Sequence, residues 1–248
     1  MARTPGELLT VSRALRVLGA FTEAHPSRGV TELATELGLD KSQVHRMLAT
    51  LTQHGYTVMD PETRRYALGP ALIPLGHRAE RSPGLRHRLE RHLEDLAART
   101  GESSVVCVPD GYRYRTVAAC EGPGLVRYAT TVGRSYPGHL GATGHAIFAF
   151  DPTVSPADLL RAKGHEPRAE AVAALRERHE RVREDGYALS EGEYDERVMA
   201  ISAPVLLDGS VFGSVSTLGP PEFMRRSADA IVSAVLAAAA EIGTGLRA

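Results

Sequence analysis

One short stretch near the N-terminus restricts the fold of this chain more than any other part of it. From Thr31 to Leu51, apolar residues recur with helical spacing, stop at Gly38, and then resume. This pattern predicts two short helices, Val30–Leu37 and Lys41–His54, joined by a tight turn. Two helices connected by a turn of three or four residues that contains glycine form a helix-turn-helix.

The residues on either side of this stretch extend the motif. Apolar spacing over Leu8–Phe21 predicts a preceding helix. After Gly55, two β-type runs, Tyr56–Met59 and Arg65–Leu68, flank a polar turn, and this arrangement predicts a hairpin. Three helices followed by a hairpin form a winged helix-turn-helix, which we expect to occupy residues 1–69.

The rest of the chain has the pattern of a linker and a second domain, and 248 residues are enough for two domains. Residues 70–84 combine prolines with a short apolar repeat, which predicts a linker helix. Residues 85–248 mix helices and strands without a regular strand–helix alternation, which indicates an α+β domain with an antiparallel sheet. The expected helices are Leu85–Thr100, Gly141–Phe150, Ala157–Ala162, Ala169–Asp185 and Ala228–Leu246, and the expected strands are Ser103–Val108, Tyr112–Ala119, Arg127–Val132, Tyr187–Glu191, Val198–Leu206 and Val211–Leu218.

Charge and hydropathy narrow the classes of partner. The net charge is −1, so the chain has no general basic coat, and contact with nucleic acid requires a local patch. No uninterrupted apolar run of membrane-spanning length and no N-terminal leader pattern is present in the sequence. We therefore expect a cytoplasmic protein with no membrane partner.

Candidate catalytic and metal-binding residues do not form a recognisable pattern. Cys107 and Cys120 lack metal-ligand spacing, and His87 and His92 do not share a helical face. Cys120 and His145 have no acidic partner at the spacing of a nucleophile–base motif. We expect no catalytic residue, no metal site and no cofactor, and therefore no enzyme.

Polar side chains of the predicted second helix of the helix-turn-helix point to DNA recognition. Gln43 can pair bidentately with adenine and Arg46 with guanine when a helix enters the major groove. Ser42 is expected to cap this helix or to contact a phosphate, because helix N-termini favour anions. His45 and Thr50 are further candidates for contacts to bases or phosphates.

The predicted wing adds two basic residues, Arg64 and Arg65, which suit a narrow minor groove. An alternative stays open for all of these side chains. Helix-turn-helix look-alikes occur in proteins that bind no DNA, and exposed glutamine and arginine are usually only solvated.

Short segments along nearly the whole chain match one known pattern in their order and spacing: Val11–Leu18, Leu37–Leu39, Ser42–Leu51, Gly55–Tyr56, Tyr66–Gly69, Arg134–His139, Gly141–Ala146, Val182–Ala188, Ile201–Val205 and Val215–Pro220. In this order they resemble the IclR family of bacterial transcription regulators. The resemblance implies an N-terminal winged helix that binds double-stranded operator DNA. It also implies a C-terminal effector-binding domain of GAF-like fold and a homo-oligomer, either a dimer or a dimer of dimers.

The resemblance also implies where an effector binds. The family's pocket corresponds to a helix start and three strand positions, which here hold Gly141, Ala142, Thr143, Ser190, Ala200, Ser216, Thr217 and Leu218. This chain departs from the family pattern at Ser190, Ala200 and Leu218, so its pocket loses polar anchors. We therefore expect an aromatic or longer carboxylic acid rather than a very small oxo-acid. The alternative is that Thr143, Ser190 and Ser216 only satisfy local backbone groups.

Together these patterns predict a ligand-responsive DNA-binding transcriptional regulator. We expect a repressor of a catabolic or metabolic operon, released by a small organic acid or an aromatic metabolite. Two alternatives remain open, which are a metabolite-binding enzyme with a fused winged helix and a ligand-free interaction module.

Overall fold

The chain divides into two compact units, Met1–Ala79 and Glu80–Ala248, which are described separately. The structure is a computed structural model, and it describes residues 8–21, 25–80, 83–125, 127–162, 164 and 166–246. The division between the units falls inside the expected linker at residues 70–84.

The first unit is a three-helix bundle with a small antiparallel sheet, which confirms the winged helix-turn-helix. Its strand order is β1-β3-β2, and the short strand β1 was not anticipated. Its elements are α1 (Leu9–Gly19), β1 (Ser27–Arg28), α2 (Val30–Leu37), α3 (Lys41–Gln53), β2 (Thr57–Met59), β3 (Tyr66–Leu68) and α4 (Leu72–Glu80).

The apolar spacing of the sequence forms the core of this unit. Val17, Leu33, Val44 and Leu48 have no exposed surface, and they join the three helices. Burial of each such side chain contributes about 1.5–3 kcal/mol. The turn between α2 and α3 depends on Gly38, whose φ of 63° lies in the left-handed region that favours glycine.

The second unit packs helices on both faces of a six-stranded antiparallel sheet, which confirms the α+β class. The strand order is β6-β5-β4-β9-β8-β7. The strands are β4 (Ser103–Asp110), β5 (Arg113–Cys120), β6 (Ser135–Pro137), β7 (Ala188–Glu191), β8 (Met199–Leu207) and β9 (Ser210–Gly219). The helices are α5 (Pro83–Thr100), α6 (Gly141–Phe148), α7 (Pro156–Arg161), α8 (Ala169–Asp185), α9 (Pro221–Arg226) and α10 (Ala228–Gly245).

Strand alternation separates two cores in this unit. Val105 packs in the cluster that contains residues of α6, whereas its neighbour Val106 packs with α5 and α10. In the same way Ala200 lies in the cluster on the α6 side and Ile201 in the core with α10. Successive side chains of a strand point to opposite faces, so the sheet presents one face to α6 and the other to α5 and α10.

The prediction of a strand at Arg127–Val132 was wrong. None of these residues forms a strand, and β5 pairs instead with β6, where Tyr114 lies opposite Tyr136. The β-type composition of the segment reflects side chains that line a cavity, since Tyr128 and Thr130 both do so.

The first hairpin of the sheet also differs in register from the expectation. The turn lies at residues 111–112 because Asp110 still pairs with Arg113. Cys107 therefore lies opposite Thr116, and both cysteines are free.

One helix within the described part of the chain, α10, is long and apolar enough to cross a membrane by length and composition. Its residues Ile231, Val235 and Ile242 are at most 1% exposed, and they belong to the same core as residues of β8 and β9. Because these apolar side chains already pack against the sheet, α10 serves as a core helix.

Candidate DNA-binding surface and effector cavity

The start of α3 is capped by Asp40 rather than by Ser42, so of the two roles expected for Ser42 only the phosphate contact stays a prediction. Asp40 Oδ1 accepts hydrogen bonds from Ser42 N at 2.8 Å and from Gln43 N at 3.3 Å. It also accepts a bond from Ser42 Oγ at 2.5 Å, which together with the two backbone bonds lowers the pKa of the Asp40 carboxyl. The capping residue lies two positions earlier because Asp40 still has extended backbone angles.

The outer face of α3 carries the other predicted side chains. His45 and Arg46 are exposed, and neither side chain forms a hydrogen bond or ion pair to residues that the structure describes. Thr50 is also exposed, and its Oγ1 donates to Arg46 O at 2.9 Å. Gln43 is held in place, because Arg13 Nη1 of α1 donates to its Oε1 at 3.1 Å.

Gln43 and Arg46 lie along an open groove between α1 and α3. Thr50 lines it too, together with residues that the sequence analysis did not single out, which are Thr10, Arg13, Ala14, Met47 and Leu51. Arg13 lies one turn into α1. Nothing in the sequence pattern indicated that its side chain would contact α3. The groove therefore combines polar and basic side chains from two helices.

The two arginines of the wing have different environments. Arg64 is exposed at the turn, with a φ of 56°, and its backbone N–H donates to Asp60 O at 2.8 Å. Arg65 instead donates to both carboxylate oxygens of Glu32, at 2.7 and 2.9 Å, and to Ser27 O at 2.7 Å. Arg65 thus ties the wing to the start of α2, a role that the sequence analysis missed.

In the second unit, the first turn of α6 is capped from a distant part of the chain. Gly141 N donates to Glu193 Oε2 at 3.0 Å, and Ala142 N donates to Ser190 Oγ at 2.7 Å. The N-cap residue Leu140 supplies no side-chain bond. A helix start exposes unpaired N–H groups, and here β7 and the loop after it satisfy two of them.

A buried chain of hydroxyl groups lies beneath this helix start. Thr143 Oγ1 is 2.9 Å from Ser216 Oγ, and Ser202 Oγ donates to Ser216 Oγ at 2.7 Å. Thr217 lies on the opposite face of β9 by strand alternation, as does its neighbour Val215, which packs in the core with α10. Thr217 therefore points away from the cavity that the other predicted effector residues surround. Ser216 is on the same face as Leu218, but it is hydrogen-bonded to Thr143 and Ser202 and does not line the cavity either.

That cavity opens between the start of α6 and the sheet, and its volume is about 50 Å³. This is space for a few water molecules, or for a flat group once side chains adjust. Six predicted residues line it, which are Gly141, Ala142, Thr143, Ser190, Ala200 and Leu218. The lining residues that sequence analysis missed are Val105, Cys107, Tyr114, Thr116, Tyr128, Thr130, Tyr136, Glu193, Tyr194 and Val198.

Tyrosine rings form one wall of the cavity. Tyr114 and Tyr136 stack with ring centroids 5.4 Å apart, and Tyr194 meets Tyr136 edge to face at 5.2 Å. Thr130 Oγ1 lies 3.0 Å from the Tyr136 hydroxyl. Burial raises the pKa of Tyr114 and of Tyr128, so both hydroxyls stay protonated and uncharged.

Glu193 is the charged group in the cavity wall. Burial raises the pKa of its carboxyl, but the hydrogen bond with His145 and the charge of Arg178 outweigh burial and lower it to about 2. His145 Nε2 lies 3.1 Å from Glu193 Oε2, and Arg178 pairs with Glu193 Oε1. Burial lowers the pKa of His145 and that of the adjacent His179, the latter to about 3, so both rings stay neutral near pH 7.

This combination of a helix-turn-helix and a cavity-bearing domain matches one known family over most of the chain. A family model described as IclR helix-turn-helix domain matches residues 10–61, and one described as Bacterial transcriptional regulator IclR C-terminal matches residues 77–244. The chain belongs to the IclR family.

Individual IclR-family proteins are similar to this chain over most of their length. XynR, an HTH-type transcriptional regulator of Escherichia coli (strain K12), is 30% identical over 79% of this chain and 79% of its own. The glycerol operon regulatory protein of Streptomyces griseus is 30% identical over 86% of this chain and 85% of its own. The crystal structure of an IclR-family regulator from Rhodococcus sp. superposes with a TM-score of 0.71 at 27% identity, covering 98% of this chain and 96% of that one.

Membership of the IclR family determines the general function. The chain is a transcriptional regulator with a DNA-binding helix-turn-helix domain. Each of these matches is a regulator rather than an enzyme, which confirms the expectation that this chain is not an enzyme. The alternative of a metabolite-binding enzyme with a fused winged helix is therefore dropped.

Proposed function

We propose that this regulator binds operator DNA through α3 and the wing, and that a small molecule in the tyrosine-lined cavity controls this binding. The observation that carries the proposal is the exposed Arg46 on α3, whose guanidinium forms no hydrogen bond or ion pair with the described residues. An arginine with a free guanidinium on this helix can reach the O6 and N7 atoms of a guanine in the major groove.

Other side chains of the first unit have supporting roles in the proposed complex. Gln43, oriented by Arg13, is placed to read an adenine, while His45, Thr50 and the backbone near Ser42 contact phosphates. Arg64 at the tip of the wing enters the minor groove, where a narrow A·T tract attracts arginine. We assign Arg65 to holding the wing in place, because its guanidinium is already bonded to Glu32 and Ser27.

The proposed regulatory output is repression of a metabolic operon that the effector relieves. One similar protein is a glycerol operon regulatory protein, which favours a target in metabolism. Such a regulator has one state that binds DNA tightly and one that binds it weakly. An effector that binds the second state more tightly shifts the protein towards it, and the size of the shift is set by the difference between its affinities for the two states. Such coupling is typically about 5- to 150-fold in affinity.

The cavity supports the aromatic class among the expected effectors. Tyr114, Tyr128, Tyr136 and Tyr194 offer ring faces, and Thr116 and Thr130 offer hydroxyls beside them. Aromatic rings stack favourably against such side chains. A very small oxo-acid would leave most of this aromatic wall without a partner.

The regulator is proposed to act as a homodimer or a dimer of dimers in the cytoplasm, where its DNA target lies. Leu8, Val11 and Leu15 are 73%, 53% and 62% exposed, and their spacing places them on one side of the chain at α1. An exposed apolar stripe of this kind is typical of a surface that a protein partner covers.

Selection of bound sequences from random DNA tests the proposal. The wild-type protein is expected to enrich a partly palindromic sequence, and the Arg46→Ala variant is expected to lose this preference. Transcription in vitro from a promoter that carries the selected sequence then distinguishes repression from activation. Failure of the folded wild-type protein to enrich any sequence would contradict the proposed DNA contacts.

A further inference from the structure

We propose that Glu193 makes the effector cavity selective for uncharged, hydroxyl-bearing ring compounds and excludes free carboxylates. The inference rests on the proposed function, since it assumes that this cavity is the effector site. It concerns the charge of the ligand, which neither the family membership nor the similar proteins determine.

The place where a ligand carboxylate would bind most favourably is already taken. N–H groups at a helix start attract anions, and Gly141 and Ala142 at the start of α6 line the cavity. Gly141 N donates to the Glu193 carboxylate and Ala142 N donates to Ser190 Oγ. The chain therefore supplies its own carboxylate at this position.

The cavity wall itself offers no positive charge to compensate a second carboxylate; Arg134 lies over the Tyr136 ring, 5.2 Å from its centroid, and is not a lining residue. None of the described residues that line it is lysine, arginine or histidine. Arg178 is paired with Glu193, and His145 is uncharged because burial lowers its pKa. A ligand carboxylate would therefore lie beside an ionised carboxylate in a partly buried site, where like charges are screened weakly.

An uncharged hydroxyl fits the same site. A carboxylate offers about four acceptor positions. Three of those on Glu193 are used, by Gly141 N, His145 Nε2 and Arg178 Nη2. The remaining acceptor position can receive a ligand O–H, while the protonated hydroxyls of Tyr114 and Tyr128 and the ring faces bind the rest of the molecule.

The loop that carries Glu193 is held by its own backbone. Gly192 N donates to Val198 O at 3.0 Å, and Val198 N donates to Asp195 O at 3.0 Å. Gly192 has a φ of 70°, in the left-handed region that favours glycine, and this allows the turn after β7. The closed loop therefore keeps the carboxylate at the start of α6.

Calorimetric titration of the full-length protein with matched ligand pairs tests this inference. One pair is 4-hydroxybenzyl alcohol and 4-hydroxybenzoate, and the other is galactose and galacturonate, so that the pairs distinguish an aromatic ring from a sugar ring. The uncharged member of at least one pair is expected to bind wild type, with its carboxylate counterpart at least tenfold weaker.

The variant Glu193→Gln keeps the size of the side chain and removes its charge. It is expected to bind the carboxylate of that pair at least tenfold more tightly than wild type does. The matched control is Glu196→Gln, which removes one negative charge from an exposed position of the same loop and should leave the ratio within a pair unchanged. If Glu193→Gln does not fold, the ratio measured for wild type decides the matter alone.

Three results would overturn the inference: wild type binds a carboxylate as tightly as its uncharged counterpart, wild type binds no member of either pair, or a folded Glu193→Gln variant keeps the wild-type ratio. The same samples are titrated with the selected operator. If the protein binds the operator but prefers carboxylates, only this inference is wrong. If it shows no specific DNA binding, the proposed function is wrong.

Discussion

Replacement of Arg46 by alanine should weaken operator binding without loss of stability. The Arg46 side chain is exposed and forms no hydrogen bond or ion pair within the described residues, so the free protein loses no such bond. One arginine that reads a guanine contributes about 1–3 kcal/mol. For the proposed dimer, with one such contact in each half-site, the loss is about 2–6 kcal/mol, or roughly 30- to 20,000-fold in affinity.

Fluorescence anisotropy with a labelled operator at fixed salt measures this loss. The control is Arg226→Ala, which removes the same charge from an exposed position of the second unit and should change affinity little. A base contact also predicts that Arg46→Ala relaxes the preference at one position of the half-site, whereas a phosphate contact would weaken all sequences equally. Unchanged operator affinity, or an equal loss in both variants, would refute the assignment.

Three further predictions concern the framework around the two sites. Arg65→Met should lower the melting temperature because it removes the bonds to Glu32 and Ser27, whereas Arg64→Met should leave it unchanged; thermal unfolding of both variants checks this. Gly144→Ala should destabilise the second unit by about 1–3 kcal/mol, since a Cβ there would lie 2.4 Å from Gly138 O; urea unfolding measures it. The pKa of Glu193 is lowered from 4.5 to about 2, so its contribution to stability is present above pH 4.5 and is lost as pH falls towards 2; wild type should lose more stability over this range than Glu193→Gln.

The architecture of the first unit was largely predictable because its signals are local. Apolar spacing set the three helices, and Gly38 marked the turn between α2 and α3. The strand β1 escaped prediction, since it has only two residues and depends on pairing with β3 from a distant part of the sequence. Short strands of this kind carry no periodicity of their own.

Side-chain roles were less predictable than elements, because they depend on contacts between distant residues. Arg64 and Arg65 are adjacent and chemically identical, yet only Arg65 lies within reach of Glu32. The segment Arg127–Val132 has β-type composition, but the edge of β5 is occupied by β6, so the segment forms no strand. In both cases the sequence shows the residue type and the fold decides its partner.

Only part of the cavity wall was predictable, because the wall is built from residues that are distant in the sequence. The resemblance to the family placed Gly141, Ala142 and Ser190 in its wall, and the structure brings them together. Glu193 was missed because nothing local distinguishes it from the other acidic residues of its loop, Asp195 and Glu196. Its partners His145 and Arg178 are about 50 and 15 residues away along the chain. Only the fold brings these three residues together, so the sequence alone could not indicate the role of Glu193.

We propose that a molecule in the cavity of the second unit controls DNA binding by the first. Anisotropy titrations of the selected operator, with and without a saturating amount of the ring compound that binds the cavity, test it most directly. Operator affinity is expected to fall at least fivefold, and the operator is expected to lower the affinity for the compound by the same factor. Equal operator affinity in the presence and absence of bound compound would contradict it.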